Sequence, residues 1–408
     1  IINNFKGNSM FSIKNKLGSN LKSSIDKNLY KNYRIILQYT SLPETIEKKI
    51  KIYKGKLLHV IPIINCISAI LTPNAINRLI ELPQVRHIED DCLALLCAGK
   101  SVLVSNGIIS GEKYRLTGKG ICIGIVDSGV YPHPDLLRPK NKIKKFIDLI
   151  KGYKHPYDDN GHGTFMSGII CGNGNESGGI YRGVAENSNI YSIKAFNALG
   201  KGLVSDILFS IQLLLNDSEN ENIKIICLPF ELCANNNFIL SLFEKAFQIA
   251  VKMNITVIVP SGHCGNLQGS IRGIAILDNC ITVSGIDTSA NIIKPYEYSS
   301  CGPVDKIGKP DLTAACVNIC SINSSPEYIS ERNGMKIYPK PLGNPYTCYT
   351  GTSCSAAYVS GICALLYENN PDLTFNDLMS LLKISCDLLN IPKWYQGAGT
   401  ININKLLP

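Results

Sequence analysis

The chain has 408 residues, a formal net charge of +9, 45% hydrophobic residues and 18% charged residues. That composition excludes wholesale disorder, which needs low hydrophobicity and high charge. The length calls for one large domain with a smaller companion. No apolar run reaches the roughly 18 residues of a membrane-spanning helix; the longest, residues 57–71, is broken by His59, Pro62 and Asn65.

The charge is unevenly placed: a net +4 on residues 1–29, +3 on 31–98 and +2 on 99–408. A nucleic-acid binder would carry a basic stripe with aromatics on its main domain, so neither nucleic acid nor membrane is expected as a partner. The 16 cysteines are scattered, often within apolar runs, and no C-x-x-C pair occurs. They read as small buried hydrophobes in a reducing compartment. The first thirty residues lack the apolar stretch of a secretory signal.

In chain order, residues 1–30 are rich in Lys, Asn and Ser without periodicity and read as a basic flexible arm. Residues 31–98 pattern as a small α+β domain: a strand at 34–39, a helix at 43–53, the apolar segment 57–71, a helix opened by Thr72 and Pro73, and a strand at 84–88. Residues 99–116 read as a linker. From 117 to 408 the pattern alternates. Buried-type strands are predicted at 121–126, 190–196, 223–228, 255–260, 281–285 and 311–319. Helices are predicted near 164–171, 203–215, 239–253 and 353–368, with a last one capped by Thr374 and Asp377. Near-continuous apolar strands alternating with helices predict an α/β fold with a mostly parallel sheet covered on both faces. Ligands of such sheets bind beyond the carboxyl ends of the strands.

Three places there carry chemistry. Asp127, in Gly124-Ile-Val-Asp127-Ser-Gly129, ends a strand; alone it would read as turn chemistry. His162 stands between two glycines in Asn160-Gly-His162-Gly-Thr164, at a helix start; the glycines permit close backbone approach. Ser353, in Gly351-Thr-Ser353-Cys-Ser-Ala-Ala357, opens a long apolar helix. A helix start usually needs only a capping serine, but its free N–H groups also suit a developing oxyanion. The remaining histidines outside these settings read as structural or solvated.

In the order Asp, His, Ser these residues match the triad order of subtilisin. The resemblance to the subtilisin-like serine proteases extends to Tyr131-Pro-His-Pro-Asp-Leu136, Tyr157-Asp-Asp-Asn-Gly-His-Gly-Thr164, Gly183-Val-Ala185, Lys309-Pro-Asp311 and Gly397-Ala-Gly-Thr-Ile-Asn402. It spans roughly residues 117–403. Residues 31–98 are similar to the inhibitory propeptide of the same family, notably at Ile64-Asn65 and Leu82-Pro-Gln-Val-Arg-His-Ile-Glu-Asp90. The resemblance implies a subtilisin-like three-layer catalytic domain at 117–408, an inhibitor and chaperone propeptide at 31–98, and a processing region at 99–116. It implies Ser353 as nucleophile, His162 as general base and acid, Asp127 as its orienter, and the Ser353 N–H as half of the oxyanion hole. Protein or peptide substrates and the chain's own propeptide are then the expected partners. No cofactor is required; calcium is common in the family, although loop 172–179 differs from the usual pattern. A cytoplasmic location is expected, with export or spore association as the alternative.

Two of the sequence's departures from the family fall on the oxyanion hole and the substrate edge. His263, in Gly262-His263-Cys-Gly265, stands where the family has the oxyanion-hole Asn; an imidazole can donate in its place. At the substrate edge, Pro229-Phe230-Glu231 replaces Ser-Leu-Gly. That makes Pro229, Glu231 and Gly262 candidate substrate-binding residues, and a carboxylate at 231 would select a basic residue before the scissile bond. Two readings follow: a serine endopeptidase made as a self-inhibited precursor, or a pseudoprotease serving as a binding scaffold.

Overall fold

Strand Cys122–Asp127 is buried along its whole length, as an uninterrupted apolar strand must be in a parallel sheet covered on both faces. Its alternate residues point opposite ways. Ile123 and Ile125 join the core cluster that includes Phe165, Ile169 and Ile362. On the other face, a side chain at Gly124 would run into Leu214, 2.6 Å away. The sheet is therefore sandwiched between helices His162–Cys171 and Thr352–Asn369 on one side and Val204–Asn216 on the other.

The computed structural model describes residues 16–96, 98–99, 102–107, 116–232, 236–289, 292–302 and 308–407. They fall into two compact units, one through Asp91 and the other from Cys92 onward.

In the second unit the central sheet runs Ile143–Asp148, Asn189–Lys194, Cys122–Asp127, Ile223–Cys227, Thr256–Pro260, Ile281–Asp287, Leu312–Ala315 and Thr400–Ile401, all neighbours parallel. Cys386–Asp387 closes that edge antiparallel. The expected strands thus recur with shifted ends, except that segment 311–319 divides into Leu312–Ala315 and Ile319–Ile322. Strand Ile143–Asp148 was not expected. It is the outer strand of the sheet, and Lys144 and Lys145 are exposed. Charged outward residues are how an edge strand avoids further pairing, and they hide it from an apolar-run search. The capping box at Thr374 and Asp377 is present, starting helix Phe375–Ser385.

The first unit is a four-stranded antiparallel sheet in the order Lys56–Ile61, Cys66–Leu71, Tyr33–Tyr39, Val85–Asp90. Helices Pro43–Ile52 and Pro73–Leu79 contribute Ile46, Ile50, Ile76 and Leu79 to its core. Thr72 caps the second helix, accepting from Ala75 N–H at 3.3 Å. Segment 57–71 folds back on itself through the turn Pro62–Ile64, ending at Asn65 with φ 55°. Part of the expected flexible arm is ordered: Ser19–Asp26 is a helix whose Leu21 and Ile25, one turn apart, are buried in this core. That apolar pair at i, i+4 is too short a pattern to register against a Lys- and Ser-rich background. Residues 1–15 of the arm lie outside the described residues.

Cysteine usage also differs in one place. Cys320 and Cys348, directly opposed on paired strands Ile319–Ile322 and Tyr346–Thr350, form a disulfide. Among the described residues, twelve other cysteines stand outside any disulfide, and nine of them are buried.

Candidate active site

Asp127 ends its strand, and His162 is the first residue of the helix that begins beyond the neighbouring loop. The His162 Nδ1 lies 3.0 and 2.7 Å from the two Asp127 carboxylate oxygens. A carboxylate only accepts, so Nδ1 carries the proton and donates it, leaving Nε2 as the basic nitrogen. Asp127 Oδ1 also accepts the Ser128 N–H at 2.5 Å. Asp127, His162 and Ser353 are 0%, 3% and 0% exposed.

The glycine after the histidine has a steric reason. A Cβ at Gly163 would lie 2.2 Å from the Gly129 carbonyl oxygen and 3.1 Å from the Asp127 Cβ. Only glycine lets the Asp127 turn approach the start of the histidine helix this closely.

Two further residues brace this corner, and sequence reasoning assigned them no role. Asp158, fully buried, accepts from the N–H groups of Gly161 (2.8 Å) and Thr164 (2.9 Å) and from the Thr164 hydroxyl (2.6 Å). It satisfies orphan donors at the helix start, where negative charge is favourable. A carboxylate four residues before the histidine was its sequence signal. Lys194, also buried, donates to the Ser128 carbonyl (2.6 Å), the Phe196 carbonyl (2.9 Å) and Asp159 (2.6 Å). It pins the loop that follows Asp127; nothing in an apolar strand ending in lysine announces this.

Ser353 is the second residue of helix Thr352–Asn369, after Gly351. Its hydroxyl donates to the Pro229 carbonyl at 2.7 Å. The Thr352 hydroxyl donates to the Gly262 carbonyl at 3.3 Å, tying the helix start to the glycine turn. Gly262 has φ +106°, and a Cβ there would press on Glu231 at 3.1 Å and Ser300 at 3.2 Å.

His263 sits on that same turn, and Glu231 reaches it from strand Phe230–Leu232. The His263 ring stacks on Tyr298, with centroids 4.9 Å apart and planes 11° apart, and lies beside Tyr296. Its ring nitrogens make no hydrogen bond among the described residues; its backbone N–H donates to Glu231 at 2.8 Å. Glu231 is fully engaged. It accepts from Arg272 Nε at 2.9 Å and from the Cys264 thiol at 3.0 Å in addition. Burial and then this carboxylate push the Cys264 thiol pKa up. Glu231 thus anchors the Gly262–His263 turn from the neighbouring strand and is itself held by Arg272.

Pro229 precedes the short strand Phe230–Leu232. Between that strand and Lys201–Leu203, segment Leu93–Leu96 lies as an antiparallel third strand. Its register pairs Ala94 with Leu232, Leu95 with Glu231 and Leu96 with Phe230. On the far side, Ala98–Gly99 pairs with Tyr349 and Thr350, the strand that leads into Ser353. The missing N–H of Pro229 does not prevent strand addition, because the ladder uses residues 230–232.

Beside loop 172–179, which departs from the family's usual calcium pattern, side-chain oxygens are engaged within the chain. Asp135 is taken up by the Glu176 N–H (3.1 Å) and the Tyr346 hydroxyl (2.6 Å), and the Asn173 side-chain oxygen by the Asn175 N–H (3.1 Å). Among the described residues, no group of three or more His, Cys, Asp or Glu is placed to hold a metal ion.

The subtilase family matches residues 118–399 of the chain. The serine protease AprX of Bacillus subtilis (strain 168) is 31% identical over 364 residues, covering 85% of this chain and 79% of that protein. Subtilisin Savinase of Lederbergia lenta is 26% identical over 287 residues, covering 70% of this chain and 90% of that protein. Among solved structures, fervidolysin from Fervidobacterium pennivorans, described as a keratinolytic enzyme related to subtilisin, superposes with a TM-score of 0.69 at 19% identity. That match covers 93% of this chain and 62% of fervidolysin, and it speaks to the fold. The chain belongs to the subtilase family of serine endopeptidases.

Proposed function

We propose that the chain hydrolyses peptide bonds through Asp127, His162 and Ser353, and that it is made as a self-inhibited precursor. The observation that carries the catalytic part is the buried Asp127–His162 contact, 2.7 Å at its shorter distance, together with a buried serine at a helix start. The Ser353 hydroxyl swings from the Pro229 carbonyl toward His162 Nε2, gives up its proton there, and its oxygen attacks the scissile carbonyl carbon. The oxyanion forms against the Ser353 N–H at the helix N-terminus, where the donor is already oriented. His162 returns the proton to the leaving amine, and water, activated by the same imidazole, frees the acyl group. Asp127 holds the imidazole tautomer and stabilises its cation.

His263 is proposed as the second oxyanion donor, its ring leaving Tyr298 when substrate carbonyl enters. Loss of such a donor costs about 10²–10³ in kcat in the subtilisin case the rule was drawn from. Self-inhibition is supported by strand Leu93–Leu96, which fills the sheet edge where an extended substrate would add. A fluorophosphonate probe on the purified chain tests the catalytic part: Ser353-dependent labelling is expected after processing. Absence of label in a processed, folded sample refutes it.

A further inference from the structure

The disulfide Cys320–Cys348 differs from the other cysteines in where it faces. Among the described residues, nine of the twelve cysteines outside it are buried. Burial pushes the Cys171 and Cys280 thiols, for example, up to about 11. Such thiols stay protonated at neutral pH and react poorly. Cys348 is instead exposed, and Cys320 is half-buried. A thiolate in solution therefore has access to the Cys348 sulfur.

The bond joins the supports of two triad members. Cys320 stands in strand Ile319–Ile322, which lies against the helix opened by His162. The Ser321 hydroxyl donates to the Phe165 carbonyl of that helix at 2.9 Å. A Cβ at Gly168, on the same helix, would come 2.3 Å from Ser321 Oγ and 2.5 Å from Ile322 Cγ1, so strand and helix touch closely. Cys348 stands in strand Tyr346–Thr350, which runs directly into Gly351 and the helix that holds Ser353. The two cysteines face each other in the ladder. One covalent bond thus ties the strand against the histidine helix to the strand that leads to the nucleophile.

We propose that Cys320–Cys348 is a thiol–disulfide exchange site for dithiol reductants, and that its oxidation state sets the catalytic rate. This rests on the protease reading above. A thiolate of the dithiol attacks Cys348 Sγ, the S–S bond breaks, and Cys320 leaves as a thiolate that takes a proton from water. The second thiol of the reductant then displaces Cys348 and closes the reductant's own disulfide. Two electrons and two hydrogens pass from the dithiol to the protein. With the bond closed, Ser353 meets His162 in a fixed frame. With it open, the two strands keep only their ladder hydrogen bonds, and the spacing of Ser353 from His162 loosens. The perturbation falls on the reacting groups, so the loss is mainly in kcat.

The test is peptide turnover by the processed wild-type enzyme, oxidised beside reduced with dithiothreitol under native conditions. Intact mass reads the bond as the gain of two hydrogens, and thermal unfolding checks that each sample is folded. Reduction should lower kcat at least about threefold, within the roughly 10²-fold cost of a 1 Å misplacement. KM should change by less, and reoxidation should restore the rate. The double variant Cys320→Ser/Cys348→Ser should work at the reduced rate with or without dithiothreitol; if it does not fold, the oxidised and reduced wild type still decide. Equal kcat in the two wild-type states, with the mass change seen, overturns the proposal. So does a bond that never forms or stays closed in dithiothreitol, or an equal fall in the double variant, which would place the effect on another thiol. An oxidised, folded enzyme with no turnover and no fluorophosphonate label refutes the protease reading and the proposal with it. An active enzyme indifferent to the bond refutes the exchange site alone.

Discussion

Replacing Asp127 by Asn should disable the site through the tautomer of His162 rather than through loss of shape. The Ser128 N–H at 2.5 Å fixes an acceptor at the Oδ1 position, so the new amide nitrogen falls at the Oδ2 position. That is the 2.7 Å partner of His162 Nδ1. Two N–H donors cannot face each other at that distance, so the imidazole moves its proton to Nε2 and Nδ1 becomes the acceptor. A protonated Nε2 cannot take the Ser353 proton. In serine triads this exchange costs about 10⁴ in kcat, or roughly 5 kcal/mol of barrier. The assay is the half-time of self-cleavage of the full chain on a gel, with thermal unfolding as the control for folding. The half-time should lengthen by about that factor while Tm stays near wild type. A variant that processes within tenfold of wild type, correctly folded, would show that Asp127 does not set the tautomer.

Three other expectations follow from the same contacts. Glu231→Ala removes the acceptor of the His263 N–H and the counter-ion of half-exposed Arg272; a lost charge-assisted hydrogen bond of about 1.5–3 kcal/mol should loosen the oxyanion turn and lower kcat/KM by more than tenfold. Peptide turnover by the processed enzyme reads this directly, and unchanged kcat/KM would mean the turn holds without it. Cys320→Ser opens a cross-link spanning 28 residues; the loop-entropy relation puts the loss at up to about 3–4 kcal/mol, visible in the urea midpoint of the oxidised chain. An unchanged midpoint would contradict it.

The third concerns pH. Burial, then the Glu89 and Asp91 carboxylates, push Asp90 from 3.8 up to about 6. Between those values the folded unit binds more protons than the unfolded chain, so its stability falls as pH rises through that window. Because Asp90 is only half-buried, solvent screening discounts the effect to about 1 kcal/mol or less. In the full-length Ser353→Ala background, Asp90→Asn should raise stability at pH 7 and leave it unchanged at pH 3.5. A stabilisation of the same size at both pH values would exclude this titration as the cause.

How far the sequence carried these conclusions depended on distance along the chain. Asp127, His162 and Ser353 sit in short local settings, at a strand end and two helix starts, where turn glycines and apolar runs mark the place. The central strands were legible for the same reason, since buried parallel strands write themselves as continuous apolar runs. Strand Ile143–Asp148 was not, because an edge is kept polar. Glu231 read as a free carboxylate because Arg272 is forty-one residues away in sequence and next to it only in the fold. The histidine at 263 could be seen to replace an amide, but its stacking on Tyr298 depends on a second loop. Leu93–Leu96 looked like the tail of a small domain; its two strand partners lie more than a hundred residues downstream.

The most direct test of the account is where a fluorophosphonate lands on the processed chain. Peptide mass mapping should place the adduct on Ser353, with labelling abolished in Ser353→Ala and strongly slowed in His162→Ala. An adduct on another serine, or equal labelling in the Ser353→Ala chain, would contradict the claim that Asp127, His162 and Ser353 form the working site.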